Sequence, residues 1–444
     1  MSSHHDHVAP SREALVRLIQ ARPVSSGLKK VALAVAIIGF LIFIIGAVMG
    51  EERAWQAYHV SWLYFTIISS AGVTLAAVQR ITTARWSRAV VRFVEGFAAF
   101  LPFAYVLMLV TVFVGRSHIF PWTHEPPTQP EKALWLNPTF WSLRAVGLLA
   151  LLFGLQLWYV YRSVRVDVGL LPEWGAKWAK GWRDRMRRGF GDERRELHST
   201  HSWMGRAAVF MALMFGFFWV VMAWDMSMSL DYHFQSTMYG WQVFMGGWIG
   251  MLMLFAILLR PWKRFLAADE LITDRHYHDV GKLCFAFTAF WGYLTFSQLL
   301  VIWYGNWPEE THFFANRLSG PWLPLTIAIA FLMFALPFFG LLGKYPKVFS
   351  PTMITFALCS LVGLALHRYV EIYPSIYLQN VSSPPIGIWE IGIFAGFLGL
   401  WAWSYLQFFD AFPRMRVVWL TSPYRDEMQV PVDPKTMEPL PAHE

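Results

Sequence analysis

Ten apolar stretches punctuate the chain, at roughly 31–49, 58–78, 89–115, 141–161, 206–224, 239–259, 280–304, 322–343, 351–370 and 386–409. Each approaches or exceeds the ~20 residues that a helix needs to cross the hydrocarbon core of a bilayer. Backbone polar groups in lipid must be paired within their own element, so the stretches predict helices. The polar intervals between them lack the alternation of a barrel. Spans three and seven are long enough to tilt or protrude. The expected fold is an all-α integral membrane protein with ten transmembrane helices. It divides into a tail (1–30), helices one to four (31–161), a basic loop (162–205), helices five to ten (206–409) and a second tail (410–444).

Composition agrees with this pattern. Of 444 residues, 56% are hydrophobic, 17% aromatic and only 15% charged, against about 25% charged in soluble domains. A water-soluble enzyme is thereby excluded. Cys284 and Cys359 both lie in apolar runs, so a disulfide scaffold is excluded too.

The net charge of +8 invites a nucleic-acid reading until its distribution is traced. Six basic residues, Arg53, Arg116, Lys132, Arg144, Arg317 and Arg368, fall on one side of the predicted membrane, and the rest fall on the other. Basic loops mark the cytoplasmic face, so both termini are expected there, and no nucleic-acid partner is needed to explain the charge. The first apolar run begins after about thirty residues and is long enough to persist as a helix, so no cleavable signal peptide is expected.

Two inner segments have amphipathic character. Ser11–Arg22 sets Leu15, Leu18 and Ile19 apart from Arg12 and Arg17, which fits either a helix on the inner membrane surface or a basic tail. The interval from Arg162 to Arg206 interleaves Trp174, Trp178 and Trp182 with many cations and with Asp184, Asp192, Glu193 and Glu196. It reads as an interfacial helix on lipid headgroups or a partner subunit. A faint echo links Trp62-Leu-Tyr-Phe65, in a span ending at Arg80, with Trp241-Gln-Val-Phe244, in a span ending at Arg260. It suggests a parallel repeat about an axis along the membrane normal.

Several chemistries leave no mark. There is no C-x-x-C-H, no cysteine set for an iron–sulfur cluster, no P-loop and no H-E-x-x-H. His59 and His367 fall near the ends of predicted spans, which disfavours a membrane haem. His4, His5, Asp6 and His7 sit in a tail without preorganised geometry, so no metal site is expected.

Ionisable groups at membrane depth are costly unless paired or facing a cavity. Arg92 and Glu95, three apart, share a helix face near the inner surface and fit either an ion pair or the inner end of a proton path. His367, Arg368 and Glu371 cluster near the outer end of span nine, where a binding site and a snorkelling helix end both fit. Arg144 either faces them across the bundle or snorkels. The outer loop between spans five and six holds Asp225, Asp231 and His233, a carboxylate–imidazole set suited to a quinol head group or a proton relay, or else a simple helix-capping turn. Tyr293, Ser297 and Tyr304, with Gln298 adjacent, form a polar stripe that either binds neighbouring helices or lines a pore. No span shows an evident mid-membrane break, which disfavours a standalone secondary transporter.

One long string is distinctive: His278-Asp-Val-Gly-Lys-Leu283, Phe290-Trp-Gly-Tyr293, Phe296-Ser-Gln298 and Ile302-Trp-Tyr-Gly-Asn-Trp-Pro-Glu-Glu-Thr311. With Asp225, Met228-Ser-Leu-Asp231, His233-Phe234 and Ser236-Thr237, it resembles the ActF subunits of bacterial alternative complex III, within the wider NrfD/PsrC-like membrane family. The match covers most of the chain and is densest from about 220 to 311. The family more often has Pro where Tyr232 stands and Trp where Phe234 stands, so the outer loop is expected to differ in shape.

The resemblance implies two four-helix bundles (spans two to five and six to nine) flanked by spans one and ten. It implies a subunit of a quinol-oxidising complex of the bacterial inner membrane, beside an ActC-like membrane subunit and iron–sulfur and multihaem cytochrome c subunits. Such a subunit carries no redox cofactor of its own. It contributes a quinone site (menaquinone or ubiquinone) or a proton half-channel, with Asp225, Asp231, His233, His367, Arg368 and Glu371 outside and Arg92 and Glu95 inside. The alternative is a non-catalytic anchor for the redox subunits.

Overall fold

The structure is a computed structural model describing residues 13, 23–84, 86–171, 175–269, 271–377 and 381–416. Ten helices are long and apolar enough to cross a bilayer: Ser26–Val48, Glu52–Ile81, Val91–Ile119, Pro138–Leu170, Glu193–Leu230, Thr237–Leu266, Asp274–Gly305, Gly320–Gly340, Ser350–Tyr377 and Ile388–Ala411. Among the described residues there is no strand. The protein is a multi-pass, all-α membrane protein.

Most spans outrun their apolar stretches because polar residues continue the helix past the hydrocarbon. Caps set several boundaries. Asn137 accepts from the backbone N–H groups of Thr139 and Phe140 ahead of span four, with Pro138 at the first helical position. Asp192 accepts from Arg195 N at the start of span five.

Spans two to five form one bundle and spans six to nine a second. Span two is buried along its whole apolar window and crosses span six at the centre, where Ile67 packs on Gly247 and Ile68 on Gly250. Span five leans on span six as span nine leans on span two, the exchange that a parallel repeat requires. The tryptophans of the sequence echo are not equivalent, however. Trp62 is fully buried and donates to Ala104 O at 2.8 Å, whereas Trp241 is 40% exposed.

Spans one and ten pack together on the flank. A Cβ on Gly39 would lie 2.2 Å from Gly396 Cα, so the two backbones touch. Gly392-Ile-Phe-Ala-Gly396 is a G-x-x-x-G stripe, and small residues drive such contacts where lipid removes the hydrophobic advantage.

Two spans contain a π segment. Span three passes through a 3₁₀ segment (Gly96–Phe100) and a π segment (Thr111–Gly115), and span eight through a π segment (Ala330–Ala335). Both remain continuous helices, so the winding changes escape a search for Gly/Pro breaks. In the basic loop a helix runs Lys180–Arg187, with Trp178 and Trp182 exposed and Arg183 and Met186 buried. This is the amphipathic arrangement expected there. Trp174, the segment Ser11–Arg22 apart from Glu13, the His4–His7 tail and everything after Arg416 lie outside the described residues.

Candidate functional site

The predicted residues separate into four environments. At the end of the first bundle nearest the basic loop, Arg92, Glu95 and Asp167 are fully buried. Arg92 Nη1 stands 2.9 Å from Glu95 Oε2, and Arg92 Nη2 donates to Asp167. Ser163 Oγ donates to Glu95 Oε2 at 3.1 Å, and Arg416, beyond span ten, donates to Glu95 Oε1. The i, i+3 pair was legible in the sequence. Asp167, on span four, and Arg416, on the tail, were not, because only packing brings them in.

Asp225, at the outer end of span five, is also fully buried, and its partners come from span four and the loop before it. Arg144 donates Nε to Oδ2 at 2.6 Å and Nη2 to Oδ1 at 2.7 Å. Trp135 Nε1 donates to Oδ1 at 3.0 Å, while the guanidinium lies 3.8 Å over the Trp135 ring. Arg144 therefore faces Asp225 within its own bundle rather than the span-nine cluster. Its fork and the indole occupy both carboxylate oxygens.

On the loop itself, Asp231 Oδ2 pairs with His312 Nε2 at 2.8 Å, a histidine not singled out in the sequence. His233 is exposed, its ring 4.3 Å from that of Tyr232. The three residues that the loop gathers in sequence thus have separate surroundings.

The fourth environment holds a cavity. Between spans six, seven, eight and nine lies a space of about 620 Å³, lined mainly by aromatic and aliphatic side chains. Its polar lining comes from Tyr239, Gln242, Thr295, Arg317, His367 and Glu371. His367 Nδ1 lies 3.3 Å from Glu371 Oε1, and Arg368 Nη1 lies 2.8 Å from Glu371 Oε2. Neither carboxylate oxygen has an aligned hydrogen bond, and Trp291 Nε1 is buried without a partner. Span nine continues to Tyr377, so His367, Arg368 and Glu371 sit inside the helix, Arg368 and Glu371 buried and His367 half-buried. A snorkelling helix end is not what they form.

Arg317 holds the roof of this cavity, for a reason written in span nine. Pro374 has no N–H to offer Val370 O, and Arg317 Nε donates to that carbonyl at 3.0 Å. Its other nitrogens reach Phe313 O (2.8 Å), Glu371 O (2.8 Å) and Ser375 Oγ (2.7 Å). Burial pulls the Arg317 guanidinium down to about 10, which leaves it charged at neutral pH.

Tyr293, Phe296 and Ala330 line the cavity and are also exposed on the outside of the bundle, so it opens sideways toward lipid. Of the polar stripe of span seven, Tyr293 and Tyr304 are exposed, while the adjacent Gln298 is buried and donates to Ser236 Oγ at 3.0 Å, binding a neighbouring element.

Neither models of known protein families nor curated proteins match this chain.

Proposed function

We propose that this chain is a membrane subunit of a quinol-oxidising complex, and that quinol meets it in the second-bundle cavity. The observation carrying this reading is the pairing of His367 and Glu371 on the wall of a mainly apolar space that opens toward lipid. A space of that volume falls within the ~300–1,000 Å³ of small-molecule sites. A quinol diffusing in the bilayer enters between spans seven and eight. Its ring lies among Phe296, Phe313 and Phe334, and its hydroxyls meet acceptors on His367 and Glu371. Loss of two electrons to a redox centre on a partner subunit releases two protons, which these two groups accept. The Asp231–His312 pair, partly exposed on the outer loop, is the outlet toward the outer face. The proposed setting is the bacterial inner membrane, both termini cytoplasmic, beside ActC-like, iron–sulfur and multihaem cytochrome c subunits.

This reading shifts weight within the site. His367 and Glu371 carry the chemistry, Arg368 and Arg317 position them, and Asp225 holds Arg144. Arg92 and Glu95 lie in the other bundle at the opposite end. A second reading, a non-catalytic anchor for redox subunits, draws support from Asp225, whose oxygens are already taken.

The test is quinol oxidation by the assembled complex carrying Glu371→Gln or His367→Ala. The expected result is a loss of about 100-fold or more in turnover, within the usual range for a proton-accepting group, with subunit composition unchanged. Wild-type turnover and an unchanged pH profile in both variants overturn the site and leave the anchor.

A further inference from the structure

A second sideways-facing space lies at the opposite end of the molecule, where nearly all the cations gather. It measures about 640 Å³ and sits between spans three, four and ten, closed on one side by the short helix of the basic loop. Its walls include Phe103, Tyr161, Trp403 and the exposed rings of Trp178 and Trp182. Tryptophans so placed mark the level of the membrane–water boundary.

The rim is what identifies an occupant. Lys177, Lys180 and Arg185 are exposed on the segment that carries the two tryptophans, and Arg185 stands 5.9 Å over the Trp182 ring. An apolar slot at the boundary with a cationic lip matches an amphiphile with two apolar chains and a negative head. A wholly apolar partner helix would leave the lip unused.

We infer that this groove binds one anionic diacyl phospholipid. The acyl chains lie against Phe103, Tyr161 and Trp403 beneath the two tryptophans, and the phosphate rests on Lys177 and Arg185. The lipid locks the loop helix onto spans four and ten. The inference is independent of the quinol reading, since it concerns the other bundle and the other end of the molecule.

The test is native mass spectrometry of the full-length chain titrated with dioleoyl-phosphatidylglycerol or dioleoyl-phosphatidylcholine. The expected result is binding of the glycerol lipid at least tenfold tighter. Lys177→Ala/Arg185→Ala removes that preference at roughly fivefold per cation, and Trp178→Ala/Trp182→Ala weakens both lipids. Lys282→Ala/Lys344→Ala, at exposed cations away from the groove, leaves binding unchanged. Should the double variant not purify, Arg185→Ala alone is expected to lose about fivefold. Equal affinity for the two lipids, full preference in the cation variants, or an equal loss in the control pair overturns the inference. So does a protein subunit crosslinked to Trp178 and Trp182 in the intact complex.

Discussion

Arg416 and Glu95, 321 positions apart, are joined by a hydrogen bond inside the end of the first bundle nearest the basic loop. With Arg92 and Asp167 they make a set of two cations and two anions with no formal excess charge. The segment after span ten is thereby tied to the bundle it borders. Arg183 Nη1 donates to Ala411 O at 3.1 Å and Lys29 Nζ to Asp410 Oδ2 at 2.5 Å, so three separate parts of the chain hold it.

Breaking one member of a buried ionic set strands its partners, at about 3–5 kcal/mol. Arg416→Ala and Glu95→Gln are each expected to lower the thermal midpoint of the purified protein by several degrees. Combining them should cost less than the sum of the two. An additive double mutant would show that the contact contributes nothing.

Asp225→Asn is expected to act on stability, by about 3 kcal/mol or more, because it leaves the Arg144 fork buried against a neutral amide. Adding Arg144→Met should restore much of the loss. Thermal unfolding of the single and double variants checks this. A large fall in quinol oxidation with an unchanged midpoint would instead give Asp225 a direct role.

Arg317→Met removes four hydrogen bonds at once and uncovers the carbonyl that Pro374 leaves without a donor. The expected result is faster amide exchange through the helix Pro308–Arg317 and the outer turn of span nine, with loss of about 3 kcal/mol or more. The folded guanidinium titrates near 10, below its unfolded value. The unfolded chain therefore binds more protons above about pH 10, and the wild type gains stability as pH rises through that window. Arg317→Met should lose this gain. Unfolding midpoints at pH 9 and pH 11 decide the point.

Gly396→Leu places a branched side chain where the Gly39 backbone lies. Overpacking of this kind costs about 1–3 kcal/mol, and here the loss should appear as separation of span one. Amide exchange along Ser26–Val48 is expected to be faster in the variant than in the parent. Equal exchange in both would show that the close approach is dispensable.

Sidedness has its own test. His233→Cys, on the exposed outer loop, should react with an impermeant maleimide added outside intact cells, and Lys344→Cys only after permeabilisation. Of the native thiols, Cys284 is buried, which keeps the background low. The reverse pattern would invert the molecule and move the cavity of the second bundle to the cytoplasmic end.

The sequence by itself determined the number of spans, their helical nature and the asymmetric placement of charge. Each follows from local physics: twenty apolar residues match a bilayer, unpaired backbone cannot sit in lipid, and loop charge is counted along the chain. It also determined the neighbours that helical geometry dictates, Arg92 beside Glu95 and His367 beside Glu371. The tertiary structure alone decided which buried charges meet across helices. Nothing local distinguishes Asp225, saturated by Arg144, from Glu371, a wall residue of the cavity whose oxygens have no aligned hydrogen bond. His312 and Arg317 looked like loop residues until packing set one on Asp231 and the other on the carbonyl left bare by Pro374. A long-range contact depends on how the bundles lean together, and that is a property of all ten spans at once.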